Sequence, residues 1–475
     1  MARFGVVRRK TIISSIFSIS FLFIFFLPKT TSSQTNIVKT LPGFEGDLPF
    51  KLETGYISLG RNDEVQFFYY FIESERDPMK DPLVLSLTGA LVSVPSPLWF
   101  LNLVCYFSSP IMFDWSTYFA SLPSLVLNPY SWTKMANIIF VDWPVGAGFS
   151  YATNPEAYYV SDSKSPEDLY IFLQKWFLIH PMFLQNPLYI EGESYAGRIA
   201  PMVAWEISKA NEAGRLPKMS LQGYFVSSPV TDINEIDNDK IPYAHNMGLI
   251  SNEYYKLAED TCGGNYANPD PNNIQCHYAL QLIDKVLENV DIYHILDTAC
   301  AKTVLPGDNS AKIVLPSRKK EPACRADFYS LSETWANDAR VRKALQIREG
   351  TKEEWVRFNN TVLDVAFDMD VASSAEYHLL LAKKGYRGLV YNGDHDMRTP
   401  FFSTLNWIHS LNLTIDESWR QWIVDKQIAG FTQQYRQNKT NLTFATVKGS
   451  GHTIAEYNPK ECFALISRWL FNKPL

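Results

Sequence analysis

The sequence predicts an α/β protein built on a mostly parallel central sheet. Three observations carry this. Short apolar runs ending in Gly, Pro or Asp recur along the chain, helix-like segments lie between several of them, and one run breaks into a small-residue corner around a single serine. Strands apolar at nearly every position are buried on both faces, and such strands separated by helices pair in parallel.

Taken in order, the chain opens with Arg3, Arg8, Arg9 and Lys10, runs almost without charge from 11 to 28, and then turns small and polar in KTTSSQ. This is the pattern of a secretory signal peptide over 1–33, with the mature chain starting near Gln34; a retained signal anchor is the alternative reading. The next strand candidates are 82–89 (PLVLSLTG) and 137–146 (NIIFVDWPVG). Residues 165–181 (SPEDLYIFLQKWFLIHP) have a Ser-x-x-Asp start and apolar residues at helical spacing, which predicts a helix. Strand candidates follow at 187–194 (PLYIEGES), 221–229 (LQGYFVSSP) and 387–396 (RGLVYNGDHD). Residues from about 230 to 330 break the rhythm, being rich in Asn, Asp, Pro and Gly and holding four of the six cysteines. They read as a disulfide-bearing insertion, a lid over one end of the sheet, within a single domain over 34–475.

A hydrophobic fraction of 46% leaves ample material for a core, and a formal net charge of −6 gives no electrostatic reason to expect nucleic acid or anionic lipid as a partner. The six cysteines, in a chain read as secreted, point to disulfides whose connectivity spacing alone does not fix. Four N-x-S/T sequons, at Asn359, Asn412, Asn438 and Asn441, are glycosylation candidates and fit passage through the endoplasmic reticulum. The expected location is the secretory pathway, secreted or vacuolar. Neither His-Glu-x-x-His nor Cys-x-x-Cys occurs in the sequence, so a metal enzyme is not expected, and no cofactor is predicted.

The corner GESYAG places Ser194 among Gly192, Ala196 and Gly197. A strand-turn-helix corner of this kind leaves its serine exposed at the tip in a strained conformation, and bulky neighbours would clash. Ala196 stands where G-x-S-x-G has its second glycine. A serine hydroxyl becomes a useful nucleophile only with a base in hydrogen-bond reach and a carboxylate to orient that base. In α/β hydrolases the order is Ser, Asp or Glu, then His, each at the carboxyl end of a strand. Asp396 closes NGDHD, and His452, one of eight histidines, follows the strand-like FATVKGSG.

The stretches GESYAG, NGDHDMRTP, KGSGHTIAEYNP, LNPYSW and VDWPVGAGFSYATNPEAY resemble the plant serine carboxypeptidase-like family, over about 41 to 475. The resemblance implies an α/β-hydrolase fold with Ser194 as nucleophile, Asp396 as orienting acid and His452 as base; Asp394 is the rival acid, disfavoured by the G-x-x-D spacing from Gly393. It also implies an oxyanion hole from the backbone N–H groups of Tyr195 and Ala90. In the family's carboxypeptidases, the Glu before the serine and an Asn in an LNGGPG loop bind the peptide's free carboxylate. Here Glu193 is present, but the loop positions are Thr88 and Gly89. A threonine is shorter than asparagine and lacks its amide donor, so recognition of a peptide terminus is weakened. Threonine in this loop resembles the branch that transfers acyl groups from glucose esters to plant metabolites, although that branch often has Asp in place of Glu193. The expected activity is therefore acyl transfer through an acyl-enzyme, with a small-molecule acyl donor and acceptor. The alternatives are a carboxypeptidase acting on peptides and a secreted binding protein of the same fold that has lost turnover.

The family loop LTGGPGCS reads LTGALVSVPSPLW here. One nucleotide supplied before codons for Ala90, Leu91 and Val92 can restore Gly-Pro-Gly, so 90 to about 108 reads as a local frame or splice alteration. Sequencing the transcript tests this, and an intact frame encoding Ala-Leu-Val sinks it. By the same resemblance the family's cysteine in this loop is absent. Cys262 with Cys276 is the expected disulfide, Cys105 is a candidate replacement in the lost pair, Cys300 with Cys324 is a further candidate pair, and Cys462 reads as a buried free thiol.

Overall fold

The computed structural model describes residues 1, 35–89, 108–114, 116, 122–297, 299, 329–351, 354–356, 367–437 and 440–475. The strands are β1 (Thr35–Val38), β2 (Leu52–Leu59), β3 (Val65–Ile72), β4 (Leu83–Gly89), β5 (Ile111–Phe113), β6 (Leu125–Leu127), β7 (Asn137–Val141), β8 (Tyr151–Ala152), β9 (Val160–Ser161), β10 (Leu188–Ser194), β11 (Leu221–Ser227), β12 (Phe367–Asp368), β13 (Arg387–Gly393), β14 (Thr414–Val424), β15 (Gln427–Gln437) and β16 (Thr440–Val447). The main sheet runs β1-β2-β3-β7-β4-β10-β11-β13-β16-β15-β14, with β8 on β3. From β7 to β16 every pairing is parallel. Antiparallel strands extend both edges.

The parallel centre is what the apolar runs predict, and alternation sorts its side chains into two cores. On β10, Leu188 and Ile190 enter the core beneath the helices α1 (Ser165–Ile179) and α2 (Ala196–Glu212), while Tyr189 enters the opposite core against the helix Pro459–Leu470. Helix α1 buries Leu169, Phe172, Leu173 and Trp176 at helical spacing. Its start differs from the sequence expectation. Lys164 is the N-cap and no side chain caps the helix, because the Ser165 hydroxyl donates to Ser161 O (2.7 Å) instead.

Three helices, α3 (Ile233–Asn246), α4 (Asn252–Cys262) and α5 (Ile274–Leu287), fall in the predicted insertion and share a small apolar core that also takes in Met397. Cys262 and Cys276 form a disulfide joining the end of α4 to α5. Cys462 is free and buried. Cys105, Cys300, Cys324, Asn359 and Asn438 lie outside the described residues. Asn412 is exposed, whereas Asn441 sits on β16 with its amide donating to Gln434 Oε1 (3.1 Å). Among the described residues no helix is long and apolar enough to cross a membrane.

Candidate active site

The strand order places the carboxyl ends of β10, β13 and β16 along one edge, and each end carries one predicted residue. Ser194 is the last residue of β10, Asp396 lies just beyond β13 and His452 just beyond β16. Ser194 has φ +58°, a left-handed conformation that a non-glycine residue adopts only when its surroundings impose it. Here α2 starts two residues later and folds back on the strand: a Cβ on Gly192 would lie 2.3 Å from Ala196 O, so only glycine fits there. Ala196, the departure from the glycine pattern, is fully buried inside α2.

His452 Nε2 is 2.9 Å from Ser194 Oγ, and His452 Nδ1 is 2.8 Å from Asp396 Oδ2. Asp396 is fully buried; its carboxylate also accepts from Thr399 N (3.0 Å) and Thr399 Oγ1 (2.6 Å). Those contacts fix the carboxylate, and an imidazole that donates Nδ1–H to it would present Nε2 as an acceptor toward the Ser194 hydroxyl. Asp394 is placed differently. Its Oδ1 accepts from Gly449 N (2.7 Å) and contacts His395 Nδ1 (2.6 Å), so it ties the loop after β13 to the loop after β16.

Glu193 and Thr88 are neighbours across β10 and β4, and Gly89 is opposite Ser194. Burial pushes the Glu193 carboxyl up to about 8; Glu191, two residues earlier on the same face, adds to the rise, and Thr453 pulls the other way. Burial likewise pushes Glu191 up to about 8, although Ser86 Oγ donates to it at 2.6 Å. Both carboxyl groups are therefore biased toward their protonated form near neutral pH. Tyr195 is the N-cap of α2, with its backbone N–H at the helix's positive end. Ala90 lies outside the described residues.

Sequence reasoning missed the support for this corner. Tyr195 Oη donates to Asp162 Oδ1 (2.6 Å), Arg198 Nη1 to Asp162 Oδ2 (3.1 Å), and Arg198 Nη2 to Ala372 O (2.7 Å). Arg198 and Asp162 are both essentially buried. The available signal was one arginine in an otherwise small and apolar run, YAGRIAP. Among the described residues, no group of three or more His, Cys, Asp or Glu is placed to hold a metal ion.

A parallel sheet flanked by helices, with a strained serine at a strand-helix corner, defines an α/β hydrolase. The family model described as serine carboxypeptidase matches residues 42–90 and 113–472, so the chain belongs to the serine carboxypeptidase family. The match is interrupted over 91–112, which includes most of the altered loop. Within the family the chain is 44% identical to serine carboxypeptidase-like 13 of Arabidopsis thaliana, covering 93% of this chain and 95% of that one. It is 43% identical to serine carboxypeptidase-like 17 of the same plant, covering 92% and 93%. Among solved structures, the prohormone-processing carboxypeptidase Kex1(Δ)p of Saccharomyces cerevisiae superposes with a TM-score of 0.68 at 19% identity, covering 89% of this chain and 91% of that one, which is a likeness of fold.

Proposed function

We propose that the protein is an acyl-transferring serine enzyme of the secretory pathway, with Ser194, His452 and Asp396 as its triad and residues 1–33 as a signal peptide. Ser194 Oγ attacks the ester carbonyl while its proton passes to His452 Nε2. The bond to the leaving oxygen breaks, and that oxygen takes the proton from His452. An acceptor hydroxyl then attacks the acyl-enzyme, giving its proton to His452, which returns it to Ser194. The Tyr195 N–H stabilises the developing oxyanion, a contribution of about 3 kcal/mol for such a donor. The observation that carries this reading is the unbroken hydrogen-bond chain from Ser194 Oγ through His452 to Asp396.

The choice of transfer from a glucose ester to a plant metabolite rests on Thr88 standing beside Glu193. Without an amide donor there, a peptide carboxylate loses one of its two anchors. One observation favours the carboxypeptidase reading: a Glu193 carboxyl still protonated near pH 7 can donate to a terminal carboxylate. The test is a competition between a blocked dipeptide and a glucose ester, with and without an alcohol acceptor. Transfer product exceeding hydrolysis is expected, and efficient dipeptide hydrolysis with no transfer selects the carboxypeptidase. A fluorophosphonate that fails to label folded protein selects the non-catalytic binding protein.

A further inference from the structure

The loops carrying Asp396 and His452 both meet a third segment, residues 291–297, which follows α5. It is a tight turn, closed by Asp291 N–H to Asp297 O (3.2 Å) and Asp297 N–H to His294 O (2.8 Å), with Asp291 Oδ1 accepting from Tyr293 N (2.8 Å). The turn bonds to both loops. Ile295 N–H donates to His395 O (3.1 Å), Met397 N–H to Ile292 O (3.0 Å), and His452 N–H to Tyr293 O (2.7 Å). The residues on either side of Asp396, and the base itself, are thus held by a segment distant in sequence. The approach is close enough that a Cβ on Gly451 would lie 2.3 Å from Tyr293 O and 2.8 Å from His294 Cβ.

Two side chains of this turn meet the base loop: the Tyr293 ring packs edge-on against His452 itself (centroids 5.4 Å apart), and His294 reaches the residues around it. His294 is 8% exposed. Nε2–H donates to Gly449 O at 3.2 Å, and the ring stacks on Tyr457 with centroids 4.4 Å apart and planes 16° apart. Gly449 precedes His452 and Tyr457 follows it, so one imidazole braces both sides of the base. The brace falls on a stretch where two glycines, Gly449 (φ +75°) and Gly451, lower the intrinsic stiffness of the backbone next to His452.

We propose that His294 is a positioning residue: by bracing 449–457 it keeps His452 Nε2 within reach of Ser194 while Nδ1 stays on Asp396. This rests on the reading of His452 as the base. Misplacing a reacting group by 1 Å can cost about a hundredfold in rate, and a loosened but still tethered loop should lose less. The experiment compares His294→Ala, which removes the hydrogen bond, the stack and the Nδ1 contact to Asp297 Oδ1 (3.4 Å), with His294→Phe, which keeps ring volume and stack but makes neither polar contact. Measured are kcat and KM on a nitrophenyl ester, the melting temperature, and the low-field proton resonance of the His452–Asp396 hydrogen bond. The expected result is a kcat lower by about tenfold for Ala and about threefold for Phe, KM within about twofold, and a weakened or shifted resonance. If His294→Ala fails to fold, the Phe variant decides. Wild-type kcat per folded molecule with an unchanged resonance, whatever the melting temperature does, overturns the proposal. Ser194→Ala separates the two levels: turnover by that variant sinks the proposed reaction, whereas a dead Ser194→Ala alongside fully active His294 variants sinks only the positioning role.

Discussion

Replacing Glu191 by glutamine should abolish a pH-dependent loss of stability that the wild type carries. Glu191 sits on β10 opposite Ser86 of β4 and Phe225 of β11, 4% exposed, and the Ser86 hydroxyl and Leu87 N–H only partly offset its burial. Its carboxyl is raised from 4.5 to about 8 in the folded protein. Between those values the folded state holds a proton that the unfolded chain has released. The neutral form's contribution is therefore complete below about pH 4.5 and is lost as pH rises through about 8. At about 1.4 kcal/mol per pH unit, that window is worth up to roughly 5 kcal/mol. Glu191→Gln keeps the size and an acceptor oxygen for Ser86 but cannot ionise. Equilibrium urea unfolding at pH 5 and pH 8 measures the effect. The stability difference between variant and wild type should move in the variant's favour by kilocalories across that interval. Taking the difference cancels groups common to both proteins, apart from Glu193, whose own rise is partly due to Glu191 and should shrink in the variant. Parallel pH profiles for the two proteins would refute the reasoning.

Three further outcomes follow from the site. Asp396→Asn should lower kcat by about 10⁴ through the wrong imidazole tautomer, whereas Asp394→Asn should act mainly on the melting temperature, since it loosens Gly449 and His395; ester kinetics and calorimetry on both variants distinguish the two carboxylates. Ser194→Ala, His452→Ala and the double variant should be almost equally inactive, because groups acting on one step do not add, and additive losses would argue against the assignment. Arg198→Met should destabilise by about 3–5 kcal/mol because it strands the buried Asp162 carboxylate, and Arg198→Met combined with Asp162→Leu should recover part of that, as read from urea midpoints.

What the sequence made legible is local. The small residues at 192, 196 and 197 describe a corner too tight for anything larger, and the structure gives that corner its strained serine. The five parallel pairings of the main sheet join apolar runs that could be read one at a time, and the Cys262–Cys276 bond closes within one segment. The antiparallel edges were not legible. Almost every residue of β2 and β3 is buried, so they lack the in-out alternation that marks a solvent-facing hairpin. The supports of the site were not legible either, for a different reason. Asp162 reaches Tyr195 and Arg198 from the turn before α1, and Tyr293 and His294 reach His452 from the insertion.

That last contact alters how the insertion should be regarded. Composition marks residues 230–330 as a cover, and a cover could be trimmed or exchanged with effects on substrate access alone. The hydrogen bonds of Ile292, Tyr293 and Ile295 instead make its later part a wall shared by the loops of Asp396 and His452. Disturbing the helices that lead into it should therefore reach the chemistry as well as the entrance. The disulfide offers a mild way to do so. Cys262→Ser with Cys276→Ser opens a link spanning a separation of 14 residues, a loss of about 3 kcal/mol by chain entropy, falling on the α4–α5 pair next to the turn. An insertion that only covers the site would change KM and leave kcat intact. One that builds the site should lower kcat for small nitrophenyl esters, which need no cover, and this is the outcome the geometry requires.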